Sequence, residues 1–196
     1  GGTQYIENKS FEDDSISAGR NFVSTITSWS FVEGGASNVS LTDRSGYAND
    51  EKAVSGDVTL DVVVPAGSGN YSSVNTYELS QIITASISAG DTLSFSSVAR
   101  FSSSFGGKGK DRALGPQYFR AEYSSSDGWI AFLPTANFTA SNGYGEYFLG
   151  SGQYNSFGAS AELPVAVEYV KLVLTGSIND DTGFSIKKPL YVGAKG

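Results

Sequence analysis

From Thr92 to Phe101 the side chains alternate. Leu93, Phe95, Ser97, Ala99 and Phe101 fall on one side, Thr92, Ser94, Ser96, Val98 and Arg100 on the other. A period of two is the repeat of an extended strand with one face against a core. A helix would instead bring apolar residues back every three or four positions. Other stretches share this character: Val58–Val64 (VTLDVVV), 77–87 (YELSQIITASI), 118–123, 129–133, 169–174 and 184–192. Residues 22–31 (FVSTITSWSF) read as one strand around Trp29. Between them lie turn signals such as Gly34-Gly35, Pro65-Ala66-Gly67, Ser88-Ala89-Gly90-Asp91 and Asn179-Asp180-Asp181-Thr182-Gly183. Pro134 is expected to stop its strand, and Pro189 implies an edge or a bulge in the last one.

With roughly eight to ten short strands and no segment of helical period, the predicted fold is all-β. Its architecture is a two-sheet antiparallel β-sandwich of jelly-roll type. The 196 residues carry no internal repeat or linker and read as a single domain, 1–196.

Composition narrows the chemistry. The chain has no Cys and no His, which removes disulfides, thiolate metal sites, a cysteine nucleophile and a serine–histidine triad together. A carboxylate pair such as Glu122 and Glu146 would be the remaining acid–base apparatus, and nothing in their spacing supports it. The expectation is a protein that is not an enzyme. A net charge of −7 argues against nucleic acid and against anionic membrane surfaces. No apolar run approaches the length of a membrane-spanning helix.

Several short phrases occur in a recognisable order. Asn8-Lys9-Ser10-Phe11-Glu12 opens the chain and Trp29 follows in an early strand; Leu79 and Gln81 precede the Gly90-Asp91 turn and Phe95. Gly128-Trp129 leads a later strand, and residues 169–174 and 184–192 close the chain. This order resembles the jelly-roll carbohydrate-binding modules of extracellular glycoside hydrolases, the type related to galactose-binding-like domains. The ending Lys188-Pro189-Leu190-Tyr191-Val192-Gly193 is also similar to sandwich domains of phage tail and receptor-binding proteins. The resemblance implies a polysaccharide or surface glycan as partner, with other structural protein subunits as the alternative. It implies an extracellular or virion-surface location.

Such modules commonly hold a structural calcium between the early Glu and acidic residues of the closing strand. Here Glu12 is present, but the closing positions are Lys187 and Lys188, and lysine offers no oxygen to the ion. A Glu12–Lys188 ion pair is the expected replacement, and no cofactor is expected. If a cation binds, Glu12 and Asp14 in the first acidic cluster are its candidate ligands.

Sugar rings present flat C–H faces to aromatic side chains, and their hydroxyls pair with amides, carboxylates and guanidinium groups. By that chemistry the candidate ligand-binding residues are Tyr118, Arg120, Glu122 and Trp129 on neighbouring strands. To these are added Tyr144, Tyr147, Gln153, Tyr154 and Asn155 from a Gly-rich aromatic loop over 141–158. The competing reading places Trp29 and Trp129 in the core and the tyrosines at sandwich edges.

Overall fold

The computed structural model describes residues 3–65, 75–101, 117–137, 154–178 and 182–195. They form the two antiparallel sheets expected from the alternation. The seven-stranded sheet contains β1 (Thr3–Gln4), β2 (Gly19–Phe22), β4 (Asn38–Asp43), β5 (Val58–Val64), β7 (Thr92–Phe101), β10 (Tyr154–Glu162) and β12 (Thr182–Lys195). Its order is β10-β7-β12-β5-β4-β2, with β1 pairing β12 as well. The five-stranded sheet contains β3 (Ser30–Glu33), β6 (Thr76–Ile87), β8 (Gln117–Ser125), β9 (Gly128–Asn137) and β11 (Val167–Ser177), ordered β3-β6-β11-β8-β9.

The core lies between the sheets. Leu41, Leu60 and Ile186 from one sheet and Leu79, Phe119, Leu172 and Leu174 from the other are at most 2% exposed. Phe95 of β7 stacks on Phe119 of β8 across the gap, with centroids 3.7 Å apart and planes 13° from parallel. The alternation in 92–101 therefore reports the inward face of β7: Leu93, Phe95 and Ala99 are all buried.

Three local departures from the sequence expectations have physical causes. Residues 22–31 are two strands in different sheets, not one. The chain turns at 26–29, where Ile26 and Trp29 form an isolated bridge, the Trp29 amide donates to Ile26 O, and Ser28 takes a φ of 69°. This turn lets both Ile26 and Trp29 reach the core, so Trp29 precedes a strand and does not lie within one. Pro134 does not end β9, which runs on to Asn137; on an edge strand a missing N–H costs no ladder bond. Tyr154 and Asn155, expected in a loop, begin β10.

Pro189 does sit at a bulge. The β12–β7 register shifts between Lys187 and Tyr191, and β5 pairs with β12 only as far as Ile186. β1 joins at Gly193, so the proline falls between two partners, where no ladder bond is demanded of it.

The opening phrase Asn8–Glu12 builds the fold. Phe11 is fully buried against Trp29, centroids 5.6 Å apart, and the Trp29 indole N–H donates to Asn8 O at 3.0 Å. Asn8 and Phe11 adopt φ values of 45° and 61°. Left-handed backbone costs a side-chain-bearing residue about 1–2 kcal/mol, and burying a phenyl ring offsets this by about 1.5–3 kcal/mol. Gln81 holds the same segment to β6: its Oε1 accepts from Glu7 N at 2.8 Å, and its Nε2 donates to Glu7 O and Ser28 O at 2.9 and 3.0 Å.

Candidate functional site

Along β8 the buried residues Gln117, Phe119 and Ala121 alternate with the partly exposed Tyr118, Arg120 and Glu122. The same alternation runs through β6 and through most of β11, so the outward side of the five-stranded sheet can be read row by row from the pairing. One row holds Ile82, Lys171, Glu122 and Ala131; beside it Tyr169 pairs with Thr84, and Trp129 with Ser124. On the other side come Ser30, Ser80, Val173 and Arg120, and then Val32, Glu78, Thr175 and Tyr118.

This face has a distinct chemistry. Trp129, Tyr169, Ile82 and Val32 are 37%, 44%, 54% and 66% exposed, large apolar surfaces left in water. Between them stand charged groups held in place. The Lys171 ammonium lies 5.7 Å from the centre of the Trp129 ring, a cation–π contact, and Arg120 Nε lies 3.7 Å from Glu122 Oε1. Trp129 on β9 and Tyr169 on β11 stand on either side of β8. Aromatic surfaces so placed, with a carboxylate and an ammonium in the adjoining row, can stack and hydrogen-bond a polyhydroxylated chain laid across the sheet.

Of the residues singled out from the sequence, Tyr118, Arg120, Glu122 and Trp129 are brought together here. Trp129 is on the surface, whereas Trp29 is core. Tyr154 and Asn155 are not brought to this face: they belong to the other sheet, paired with Arg100 and Ala99. Tyr144, Glu146, Tyr147 and Gln153 lie outside the described residues. The sequence reading missed Tyr169, Lys171 and Ile82. The signal is in the sequence, since Tyr169 and Lys171 share a parity opposite to Val170, Leu172 and Leu174, but that pattern by itself identifies a strand and not a ligand face.

The acidic candidates serve other donors. Glu12 accepts from the amides of Asp57 (2.7 Å) and Val58 (3.2 Å), and Asp14 accepts from the Thr27 amide and hydroxyl at 3.0 and 2.6 Å. Among the described residues no group of three or more His, Cys, Asp or Glu stands where it could hold a metal ion. The side chains of Lys187 and Lys188, and with them the expected pair to Glu12, lie outside the described part.

The outward side of the seven-stranded sheet is built differently. Asp61 on β5 is 1% exposed, and its carboxylate accepts from Thr42 (2.6 Å), Thr59 (2.9 Å) and Arg44 (3.1 Å). Arg44 also donates to Thr59 Oγ1, Ser185 Oγ and Glu51 O. Arg20 adds a second cation 3.7 Å from Asp61. These polar groups are consumed by one another.

Comparison with known proteins places the fold. No family model matches the sequence, and no curated protein matches it. Solved structures do. A Stig cyclase from Fischerella sp. TAU, in complex with an indole compound, superposes with a TM-score of 0.65 at 12% identity, over 100% of this chain and 98% of that one. The enzymatically active domain of tailspike protein 4 of bacteriophage CBA120 gives 0.63 at 12% identity, covering 98% of this chain; the chain spans only 21% of that protein. TmCBM61, in complex with β-1,4-galactotriose, gives 0.58 at 12% identity over 97% of each chain. The chain has the fold of jelly-roll carbohydrate-binding modules and of this tailspike domain. At such identity the likeness establishes architecture, which an indole-binding cyclase shares equally.

Proposed function

We propose that the protein is a non-catalytic carbohydrate-binding domain that receives a glycan on the outward face of its five-stranded sheet. The observation that carries this reading is the exposed pair Trp129 and Tyr169, with Lys171 and Glu122 fixed in the row beside them. The rings stack on pyranose faces, while Glu122, Arg120, Lys171 and the serines take the hydroxyls. The galactotriose complex of a domain with this fold supports the ligand class. Glu122 is ion-paired with Arg120, which orients its carboxylate to accept sugar hydroxyls.

The setting is extracellular or on a virion surface. The match of nearly the whole chain to one part of a phage tailspike favours an adhesion role as the second reading, in which contacts with other protein subunits matter as much as glycan. Among the described residues no helix is long and apolar enough to cross a membrane.

Affinity electrophoresis in gels containing galactan, xylan, β-glucan or bacterial surface polysaccharide tests the proposal. Retardation by at least one polymer, lost in Trp129→Ala and Tyr169→Ala, is expected. Unretarded migration of the native protein through every polymer would defeat it.

A further inference from the structure

Where β6 ends, β8 ends and β11 begins, a groove of about 480 Å³ opens beside the sheet face. Its lining includes the hydroxyl residues Ser86, Ser88 and Ser124, together with Glu168 and Tyr169. Ile87 and Val167, both buried, form its apolar floor. Ser124 pairs with Trp129 and Tyr169 is exposed on β11, so the groove adjoins the sheet face.

Two features show that the groove is built. The first is a break in strand alternation. The β6–β11 register shifts between Val167 and Tyr169, where β6 spends one more residue than β11. Val167 and Val170 are both buried in the core, while the consecutive residues Glu168 and Tyr169 are both exposed and line the groove. A regular strand would send one of them inward; irregularities of this kind re-aim side chains. The second is a braced wall. Ser88 N donates to Asp91 Oδ2 at 3.2 Å and Asp91 N to Ser88 O at 3.1 Å. The turn is then tied to the next segment by Gly90 N to Leu163 O and Leu163 N to Asp91 O, both 2.9 Å.

We infer that this groove is a further sugar subsite, adjoining the sheet face and sharing Tyr169 with it, that takes one neutral pyranose and rejects its uronic-acid counterpart. The inference rests on the carbohydrate reading above and adds a ligand class to it. An aromatic ring next to a carboxylate offers stacking for a C–H face and a two-oxygen acceptor for neighbouring hydroxyls, and three serines supply further donors and acceptors. Among the described residues that line the groove none is Lys or Arg, and there the carboxylate of an acidic sugar would meet Glu168.

The test is a titration of the amide NMR spectrum with D-galactose, D-xylose and D-glucose, and with galacturonate and glucuronate, at millimolar concentrations. At least one neutral sugar is expected to move the amides of Ser86, Ser88 and Glu168 saturably, with the uronates weaker by about tenfold or more. Glu168→Gln should erase that discrimination. If no neutral sugar moves these amides, if the uronates bind the native protein as well as the neutral sugars do, or if Glu168→Gln keeps the preference, the subsite is overturned. The amides of Trp129 and Ala131, followed with polysaccharide in the same protein, report the sheet face independently. A silent groove beside a responding face therefore overturns the subsite alone.

Discussion

The two outward faces of this sandwich use the same residue types to opposite ends. On the seven-stranded sheet Asp61, Arg44, Thr42, Thr59 and Ser185 satisfy one another and are almost completely buried. On the five-stranded sheet, among the described residues, Arg120 is paired with Glu122 and Lys171 lies over Trp129, beside aromatic rings left in water. A polar group whose partners are all internal contributes to folding and has nothing left for a ligand. One with a single fixed contact is oriented yet keeps free donors or acceptors. The difference separates a structural face from the proposed recognition face without reference to any relative.

Substitutions on the two faces should therefore separate stability from binding, and the largest effect is expected at Asp61. Asp61→Ala leaves the Arg44 guanidinium buried without its anion and should lower the unfolding free energy by about 3–5 kcal/mol in a urea titration. An Asp61→Leu/Arg44→Met double variant that recovers most of the loss would confirm that the uncompensated charge is the cause. A loss below about 1 kcal/mol would break the contrast.

Next comes Trp129→Ala, expected on the proposed function to weaken glycan binding at least about tenfold while leaving the urea midpoint nearly unchanged, because the ring is exposed and lies outside the core. A large drop in stability with unchanged binding would reverse the assignment of the two faces.

A smaller effect concerns Tyr77, fully buried at the start of β6, whose phenol burial pushes well above its usual value. The folded state then holds its proton longer than the unfolded chain. The stability this contributes is complete below pH about 10 and declines as pH rises further. Tyr77→Phe should flatten the alkaline limb of the melting curve; an unchanged limb would show that Tyr77 does not control it. The smallest effect is expected for Ile82→Ser on the proposed recognition face, a change within about 0.5 kcal/mol by thermal unfolding.

How far the sequence revealed this arrangement depends on which side of a strand a residue occupies. Inward faces were legible because apolar alternation has one meaning, as Leu93, Phe95 and Ala99 show. The phrases shared with carbohydrate-binding modules, Asn8 to Glu12, Trp29 and Gln81, were legible too, but they hold the N-terminal segment against the core and do not face the proposed ligand site. Similarity in those positions points to architecture and is silent on specificity. The outward rows were only half legible. Arg120, Glu122 and Trp129 could be grouped because β8 and β9 form a hairpin. Lys171 and Tyr169 arrive from about 50 residues further on, through a pairing no local pattern encodes. Likewise Tyr154 and Asn155 are near Trp129 in the chain but belong to the opposite sheet.

β1 pairs with the end of β12, matching Thr3 to Ala194 and Gln4 to Gly193. Any polypeptide attached before or after these residues must depart from neighbouring points on the seven-stranded sheet. Lys195 is paired with Thr92, next to the Ser88–Asp91 turn, so a tether of that kind departs from the end of the sandwich where β6 passes into β7, beside the groove. Whatever is carried there stands near the Ser88 wall, and a rigid partner fused at either end should hinder the groove before it hinders the far rows of the sheet.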